Sequence, residues 1–262
     1  MEEKKVFTWW PIWFIVKTVA RSLRIVVAWR EEYGKENIPQ TGMLIEHCSH
    51  FTTAEEAGII FDLSPRRLYL MYKKDLETGT NLPTRLAGYF VKFFLRGAGF
   101  IPTERGVKDG GTAVAQARWA LKQGHAVLAM PERTSRQPVL IEASGKGTAR
   151  LAMELDCPIQ PIAVIGAPHA ITHGLLAWLR LYPRQKLHII YGLPFRFSQL
   201  GLNLENDPTG KNATTACMVR IGAMLPKQFR GFYTQTVEEF LTSDAFDIDY
   251  YRKLQTSLDL LG

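Results

Sequence analysis

Apolar runs and helical patterns alternate along the middle of the chain, which is the order expected of an α/β protein. Residues 43–45 form a short apolar run that ends in the polar sequence EHCSH at 46–50. Thr52 and Glu55 then have the spacing of a capping box, followed by the apolar segment 57–63. This stretch predicts a strand, a loop and a helix. In open α/β sheets, ligands bind at such strand ends.

The same alternation continues to residue 225. Further strands are predicted at 66–72 and 126–130, and further helices at 86–95, 112–123, from 145 onward and at 213–225. Gly124 ends one of these helices. A length of 262 residues suits one large domain. We therefore expect a mixed sheet flanked by helices.

The N-terminal segment has a different pattern. Residues 6–16 read VFTWWPIWFIV, which is shorter than the roughly 20 apolar residues that span a bilayer. Three basic residues follow at helical spacing: Lys17, Arg21 and Arg24. Residues 6–30 are interpreted as an interfacial, monotopic anchor made of two short helices broken near Pro11. The alternative is a core-packing helix pair with incidental surface charge.

Composition and charge narrow the choice of partner. The 46% hydrophobic content allows a full core, and the net charge of +7 suits anionic headgroups, phosphorylated substrates or nucleic acid. No nucleic-acid-binding motif is present. The three cysteines are far apart, which argues against a disulfide framework or a zinc site and fits a reducing compartment. Cys48 beside His47 is conceivable as a nucleophile, but neighbouring residues of an extended segment point apart.

The stretch 43–56 resembles the first motif of the glycerolipid acyltransferases, the lysophosphatidic acid acyltransferase family. That motif is Asn-His-x-x-x-x-Asp, usually with Ser two residues after the His. His47 and Ser49 match it, whereas Glu46 replaces the Asn and Thr52 stands where the family has its Asp. The resemblance implies that His47 is the catalytic base and that Thr52 orients it.

Two further segments resemble family motifs that carry cations. The sequence GAGFIPTER at 97–105 is similar to the second motif, and Arg105 fills its arginine position. Lys73 matches a lysine that the family often has after the second strand. A planar guanidinium suits phosphate oxygens, so Arg105 is expected to bind a headgroup. Lys73 is either a second phosphate ligand or a solvated strand end.

The sequence PERTSR at 131–136 resembles the third motif, Phe-Pro-Glu-Gly-Thr-Arg-Ser. Glu132 and Thr134 match, Arg133 replaces the Gly, and Ser135 replaces the Arg. If the loop needs φ > 0 at residue 133, a side chain there costs on the order of 1 kcal/mol. Glu132, Arg133 and Thr134 are expected to contact the substrate. Segments 145–152, 156–164 and 187–194 are similar to later parts of the family pattern.

The resemblance implies a glycerol-phosphate-acyltransferase-like α/β fold and three regions. These are a membrane-interface helical segment at 1–33, the acyltransferase domain at 34–233 and a helical tail at 234–262. The implied reaction moves a fatty acyl group from acyl-CoA or acyl-carrier protein to a hydroxyl of a lysophospholipid such as 1-acylglycerol-3-phosphate. No cofactor and no metal are expected. The expected partners are these two substrates, acyl-carrier protein and a membrane surface, at its cytoplasmic face, without nucleic acid.

The departures from the motifs leave alternatives open. Thr52 carries no charge, and in serine-protease triads loss of the Asp costs about 10⁴-fold in kcat. A shifted register instead pairs His50 with Glu55, which restores a carboxylate. Alternatively, His47 is kept and Glu55 or Glu56, on the same helix face as Thr52, supplies the carboxylate. The protein is then an acyltransferase with an altered catalytic pair, a weak or inactive lipid-binding relative, or an acyltransferase whose acceptor has no simple phosphate.

Overall fold

The computed structural model describes residues 5–51, 55–77, 82–104, 111–132, 139–166 and 185–259. Within these ranges seven strands form one sheet, which confirms the predicted α/β fold. The strands are β1 (Ala28–Tyr33), β2 (Leu44–Cys48), β3 (Leu68–Lys73), β4 (Ile101–Thr103), β5 (Ala126–Ala129), β6 (Ile159–Ile165) and β7 (Gln185–Tyr191). Their order is β1-β7-β6-β2-β5-β3-β4, and every neighbouring pair is parallel except β6 and β7. The sheet is therefore mixed.

Helices cover both faces of the sheet. They are α1 (Trp10–Val27), α2 (Glu55–Leu63), α3 (Leu82–Gly97), α4 (Gly111–Lys122), α5 (Gly147–Leu155), α6 (Lys211–Ala223), α7 (Thr234–Thr242) and α8 (Ile248–Asp259). Successive strand residues point to opposite faces. Leu44 therefore packs in the core that includes residues of α1 and α2, whereas Ile45 packs in the core that includes residues of α4, α5 and α6. His47, two residues after Ile45, shares this second face.

The N-terminal region differs from its prediction in two ways. α1 is one continuous helix with Pro11 in its first turn, so the expected break is absent from it. Proline is tolerated there because the first N–H groups of a helix have no intrahelical partner. The helix also ends at Val27, and residues 28–33 form edge strand β1, which pairs with β7. Residues 28–30 therefore belong to the sheet rather than to a helical anchor.

Two basic residues of α1 hold this helix against the domain. The Lys17 ammonium donates to the Ser64 carbonyl at 3.0 Å and lies 4.9 Å from the centre of the Trp13 ring. The Arg21 guanidinium pairs with the buried Asp62 carboxylate at 3.1 Å. Two of the three basic residues predicted at helical spacing thus hold α1 against α2 and against the residue that follows α2. Among the described residues, none of the helices combines the length and the apolar character needed to cross a bilayer.

The C-terminal helices pack on the domain through buried polar contacts. Arg220 of α6 and Asp247 form a bidentate ion pair with N···O distances of 2.6 and 2.9 Å, and both side chains are almost fully buried. The guanidinium also lies 4.4 Å from the centre of the Phe195 ring. The Tyr250 hydroxyl donates to the Tyr191 carbonyl at 2.8 Å. α7 and α8 therefore extend the core of the domain.

Candidate active site

The parallel pairing of β2, β5, β3 and β4 brings the carboxyl ends of these strands to one edge of the sheet. His47 is the next-to-last residue of β2, and Lys73 is the last residue of β3. Glu132 lies three residues after the end of β5. Neighbouring strands lie about 4.8 Å apart, so β3 is roughly 10 Å from β2, across β5. The structure thus brings three of the predicted site residues to the same edge.

His47 is fully buried, and one nitrogen of its ring is held by α5. Nε2 lies 2.8 Å from Oγ1 of Thr148, in the first turn of that helix. Nδ1 has no hydrogen-bond partner among the described residues. Burial lowers the pKa of His47 to about 3. The imidazole is therefore neutral at physiological pH.

A neutral imidazole has one N–H donor and one lone-pair acceptor. The Thr148 hydroxyl can partner either form of Nε2. In the tautomer whose Nε2–H donates to Thr148, Nδ1 carries the lone pair. A buried acceptor left without a donor costs about 1–3 kcal/mol. In this tautomer Nδ1 of His47 can thus accept a hydrogen bond, and then a proton, from a hydroxyl of a bound molecule.

Glu132 fastens the loop after β2 to the segment that follows β5. Its carboxylate is buried and accepts hydrogen bonds from the backbone N–H groups of His50, at 2.7 Å, and Ile141, at 2.9 Å. Hydrogen bonds to an ionised group are roughly twice as strong as neutral ones. Glu132 therefore fixes the backbone just beyond His47. Its predicted contact with substrate stays a prediction.

Ser49 ties the end of β2 to β6. Its N–H donates to the Ile162 carbonyl at 3.0 Å, and its Oγ accepts from the Val164 N–H at 3.1 Å. These two bonds continue the pairing of β2 with β6 past Cys48. The serine of the motif thus holds the strand end that carries His47. Cys48 is buried in the core on the other face of β2, away from the His47 ring.

Several predicted site residues lie outside the described residues: Thr52, Arg105, Arg133 and Thr134. The side chain of Glu55, the carboxylate of the alternative register, lies outside them too, although α2 begins at this residue. The roles assigned to these five residues stay predictions.

Thr148 was not among the predicted site residues. It lies in segment 145–152, which resembles part of the family pattern but contains none of the predicted site residues. The sequence feature that could have indicated Thr148 is a hydroxyl residue directly after Gly147, in the first turn of the predicted helix. Only the fold shows that Thr148 lies beside His47, which is 101 residues earlier in the chain.

The comparisons with known proteins agree with this geometry. A family model described as Acyltransferase matches residues 30–165, slightly more than half of the chain. The chain belongs to this acyltransferase family. The fold of the acyltransferase resembles the crystal structure of the 1-acyl-sn-glycerophosphate (LPA) acyltransferase PlsC from Thermotoga maritima, with a TM-score of 0.56 and 16% identity over 88% of this chain and 80% of that one. No curated protein sequence matches the chain significantly.

The acyltransferase also buries a carboxyl group next to its candidate base. Glu46 lies opposite Gln160 in the pairing of β2 with β6, on the face away from the His47 ring. Glu46 Oε2 and Gln160 Oε1 have no hydrogen-bond partner among the described residues. Burial raises the pKa of Glu46 from 4.5 to about 7. The family asparagine at this position is thus replaced by an acid that the fold keeps neutral in mildly acidic solution.

Glu46→Gln is expected to stabilise this acyltransferase at neutral pH and above. In the wild type the unfolded chain ionises Glu46 near pH 4.5 and the folded chain only near pH 7, so stability falls between these values. This difference between the two pKa values of Glu46 corresponds to at most about 3 kcal/mol in the free energy of unfolding. Urea unfolding should be measured from pH 4 to pH 8. The gain in the free energy of unfolding of the variant over the wild type should rise from near zero at pH 4 to a plateau near pH 7. The exposed Glu205→Gln is the control, and an equal gain in both variants would remove burial as the cause.

Proposed function

We propose that this acyltransferase moves a fatty acyl group from acyl-CoA or acyl-carrier protein to a hydroxyl of a lysophospholipid such as 1-acylglycerol-3-phosphate. The observation that carries the proposal is the state of His47 at the ligand edge of the sheet: it is neutral, it is held through Nε2 by Thr148, and its Nδ1 has no partner among the residues that the structure describes. PlsC, a 1-acyl-sn-glycerophosphate acyltransferase with a similar fold, supports this choice of acceptor.

In the proposed reaction His47 is a general base. Nδ1 accepts the proton of the acceptor hydroxyl while the hydroxyl oxygen attacks the carbonyl carbon of the thioester. The carbon–sulfur bond then breaks, the new ester remains on the acceptor, and the imidazolium returns the proton to the departing thiolate. The thiol is released in step with ester formation, and no acyl group becomes attached to the enzyme.

A phosphate on the acceptor supports this chemistry in two ways. A base works best when its pKa lies near the working pH, but burial lowers the pKa of His47 well below this pH. A negative charge nearby favours the imidazolium and raises the pKa of His47. Lys73 at the same edge, and Arg105 by its motif, would hold that phosphate. An anionic acceptor therefore promotes both its own binding and its deprotonation.

The test is thiol release from acyl-CoA and from acyl-carrier protein, each with 1-acylglycerol-3-phosphate, with a monoacylglycerol and with no acceptor. Release should require an acceptor and should be fastest with the phosphate-bearing one. Release at one rate with and without acceptors would indicate thioester hydrolysis and would overturn the proposal.

A second candidate function, lipid binding without turnover, is favoured by one observation. The His47 ring is fully buried, so it can reach an acceptor only if bound lipid opens the strand edge. In this case the protein binds lysophospholipid but releases no thiol with any acceptor in the panel. Calorimetric binding together with the release assay separates the two candidates.

Thr148→Val is expected to lower kcat by about tenfold or more, because the isosteric side chain cannot hold Nε2 of His47. Thr148→Ser keeps the hydroxyl and should retain most of the activity. The pH profile of kcat should also change in the valine variant, since the ring loses a hydrogen bond that favours one protonation state. Equal losses in both variants, with unchanged pH profiles, would make the role of Thr148 one of packing only.

We also propose that α1 contacts a membrane surface at its cytoplasmic face. Trp10 and Phe14 of α1, and Trp9 just before it, are more than half exposed, and aromatic rings of this kind favour the headgroup region. Ile12 of the same helix is buried against Gly97, so deleting α1 would damage the core. Substitution of exposed rings is the cleaner test of this contact.

The double variant Trp10→Glu and Phe14→Glu is expected to bind vesicles at least about tenfold more weakly than the wild type. The vesicles contain equal parts of phosphatidylcholine and phosphatidylglycerol, and binding is measured by co-sedimentation. Phe232→Glu, another exposed ring and one that lies outside α1 and α3, is the control. Unchanged binding of the double variant would place any membrane contact elsewhere.

A further inference from the structure

α3 has an exposed aromatic face that no described part of the chain covers. Its exposed apolar residues are Tyr89, Phe90, Val91, Phe93 and Phe94. Residues 89 and 90 are followed four positions later by residues 93 and 94, so these four rings lie on one side of the helix. Exposed apolar patches larger than a few hundred Å² mark sites of interaction with proteins or membranes. This face is not needed for the core of the domain.

Close contacts join the C-terminal end of α3 to the start of α1. The Trp9 N–H donates to the Gly97 carbonyl at 2.8 Å. Ile12 packs so closely on Gly97 that a Cβ atom there would lie 2.7 Å from Ile12 Cδ1. The rings of Trp9 and Phe93 meet edge to face, with centroids 6.5 Å apart. The exposed rings of the two helices are therefore held side by side.

A groove of about 450 Å³ lies between the two helices. Among its lining residues are the rings of Phe7, Trp9, Tyr89 and Phe93, together with Lys92 and Arg96. Arg96 is neutralised by a bidentate pair with Glu77 at 2.7 and 2.8 Å. Lys92 is exposed between the rings. The groove thus joins the two aromatic faces into one surface that contains a cation.

The charges of the two helices favour an anionic partner. The sequences of α1 and α3 contain no Asp or Glu. Their six basic residues are Lys17, Arg21, Arg24, Arg85, Lys92 and Arg96. A symmetric pair of chains meeting through this surface would place Lys92 near its own copy without an acidic residue of either helix to compensate. A leaflet with anionic headgroups offers hydrocarbon for the rings and counter-charge for Lys92.

We infer that α3 is a second membrane-contact helix, and that α1, α3 and the groove between them bind one leaflet of an anionic membrane as a single surface. This inference rests on the membrane contact proposed for α1 and extends it to a helix 55 residues further along the chain, between β3 and β4. It requires that position 90 enters the lipid together with position 14.

The experiment places an environment-sensitive fluorophore on a single introduced cysteine of the full chain: Phe90→Cys on α3, Phe14→Cys on α1, or Phe232→Cys as the control. The native Cys48, Cys157 and Cys217 are buried and should stay unlabelled under native conditions. Vesicles of equal parts phosphatidylcholine and phosphatidylglycerol should shift the emission to the blue at positions 90 and 14 but not at 232. Spin-labelled lipid should quench the first two labels.

Each other outcome has a distinct meaning. A shift at 14 without one at 90 overturns the role of α3 and leaves the contact of α1 intact. No shift at either position overturns both. A shift at 90 that grows with protein concentration in the absence of vesicles would assign the surface to self-association.

A variant test adds an affinity. Phe90→Glu with Phe93→Glu should weaken vesicle binding at least about tenfold, whereas Phe232→Glu should change it less than about twofold. Both rings are more than half exposed, so circular dichroism and the melting temperature should remain close to wild type. Wild-type affinity in the folded double variant would overturn the inference. Thiol release in detergent, where no bilayer is needed, should persist, which separates this result from a failure of the acyltransferase proposal.

Discussion

His47→Gln is expected to lower acceptor-dependent thiol release by about 10³-fold, because the acceptor hydroxyl then has no base. Glutamine fills most of the space of the imidazole and keeps a polar group beside Thr148, so this substitution is gentler on the buried site than alanine. The measurement is kcat for thiol release with saturating acyl-CoA and 1-acylglycerol-3-phosphate. A melting curve shows that the variant is folded.

His50→Ala is the matched control for this prediction. His50 lies three residues further on, and its described contact with Glu132 is made by its backbone N–H, which alanine retains. The alanine variant should keep at least about a tenth of the activity. If His50→Ala removes turnover and His47→Gln does not, the catalytic histidine is His50 and the motif pairs it with Glu55.

Asp247→Ala is expected to destabilise the fold by about 3–5 kcal/mol, because it leaves the guanidinium of Arg220 buried without its carboxylate. Urea unfolding at pH 7 measures this loss. The exposed pair of Lys227 and Glu238 provides the control, and Glu238→Ala should leave the free energy of unfolding almost unchanged.

The double variant Arg220→Met and Asp247→Ala should recover part of the loss, since it removes the uncompensated charge. A small effect of Asp247→Ala alone would contradict the cost assigned to the buried guanidinium of Arg220 without its carboxylate.

Much of the fold could be predicted from the chain because most strands begin in short apolar runs. β5 lies within such a run, and Gly124, with a positive φ, follows the end of α4. β2 continues past its apolar run through Glu46 and His47 to Cys48, because it pairs with β5 and β6. The N-terminal helix was harder to predict. Its bounds depend on Pro11, which suits either a break or a first turn, and on β1, which is stabilised by pairing with β7. Tertiary pairing of this kind has no local signal.

The candidate site was predictable in part. The motif resemblance selected His47, Lys73 and Glu132, and the parallel sheet brings all three to one edge. The contact between His47 and Thr148 joins residues 101 positions apart, so it needed the fold. The backbone contacts of Glu132 also depend on how two loops meet. The aromatic residues of α3 are evident in the sequence. However, only the packing of Gly97 on α1 shows which of their rings are exposed.

The most direct test of the central claim is to identify the product by mass spectrometry. The folded wild-type protein is incubated with one acyl-CoA and 1-acylglycerol-3-phosphate of a different chain length, beside His47→Gln. We expect a diacylglycerol phosphate whose mass equals that of the acceptor plus the donated acyl group, formed in equal amount to the released thiol and absent with the variant. Free fatty acid as the acyl product, or the same diacyl product from both proteins, would contradict it.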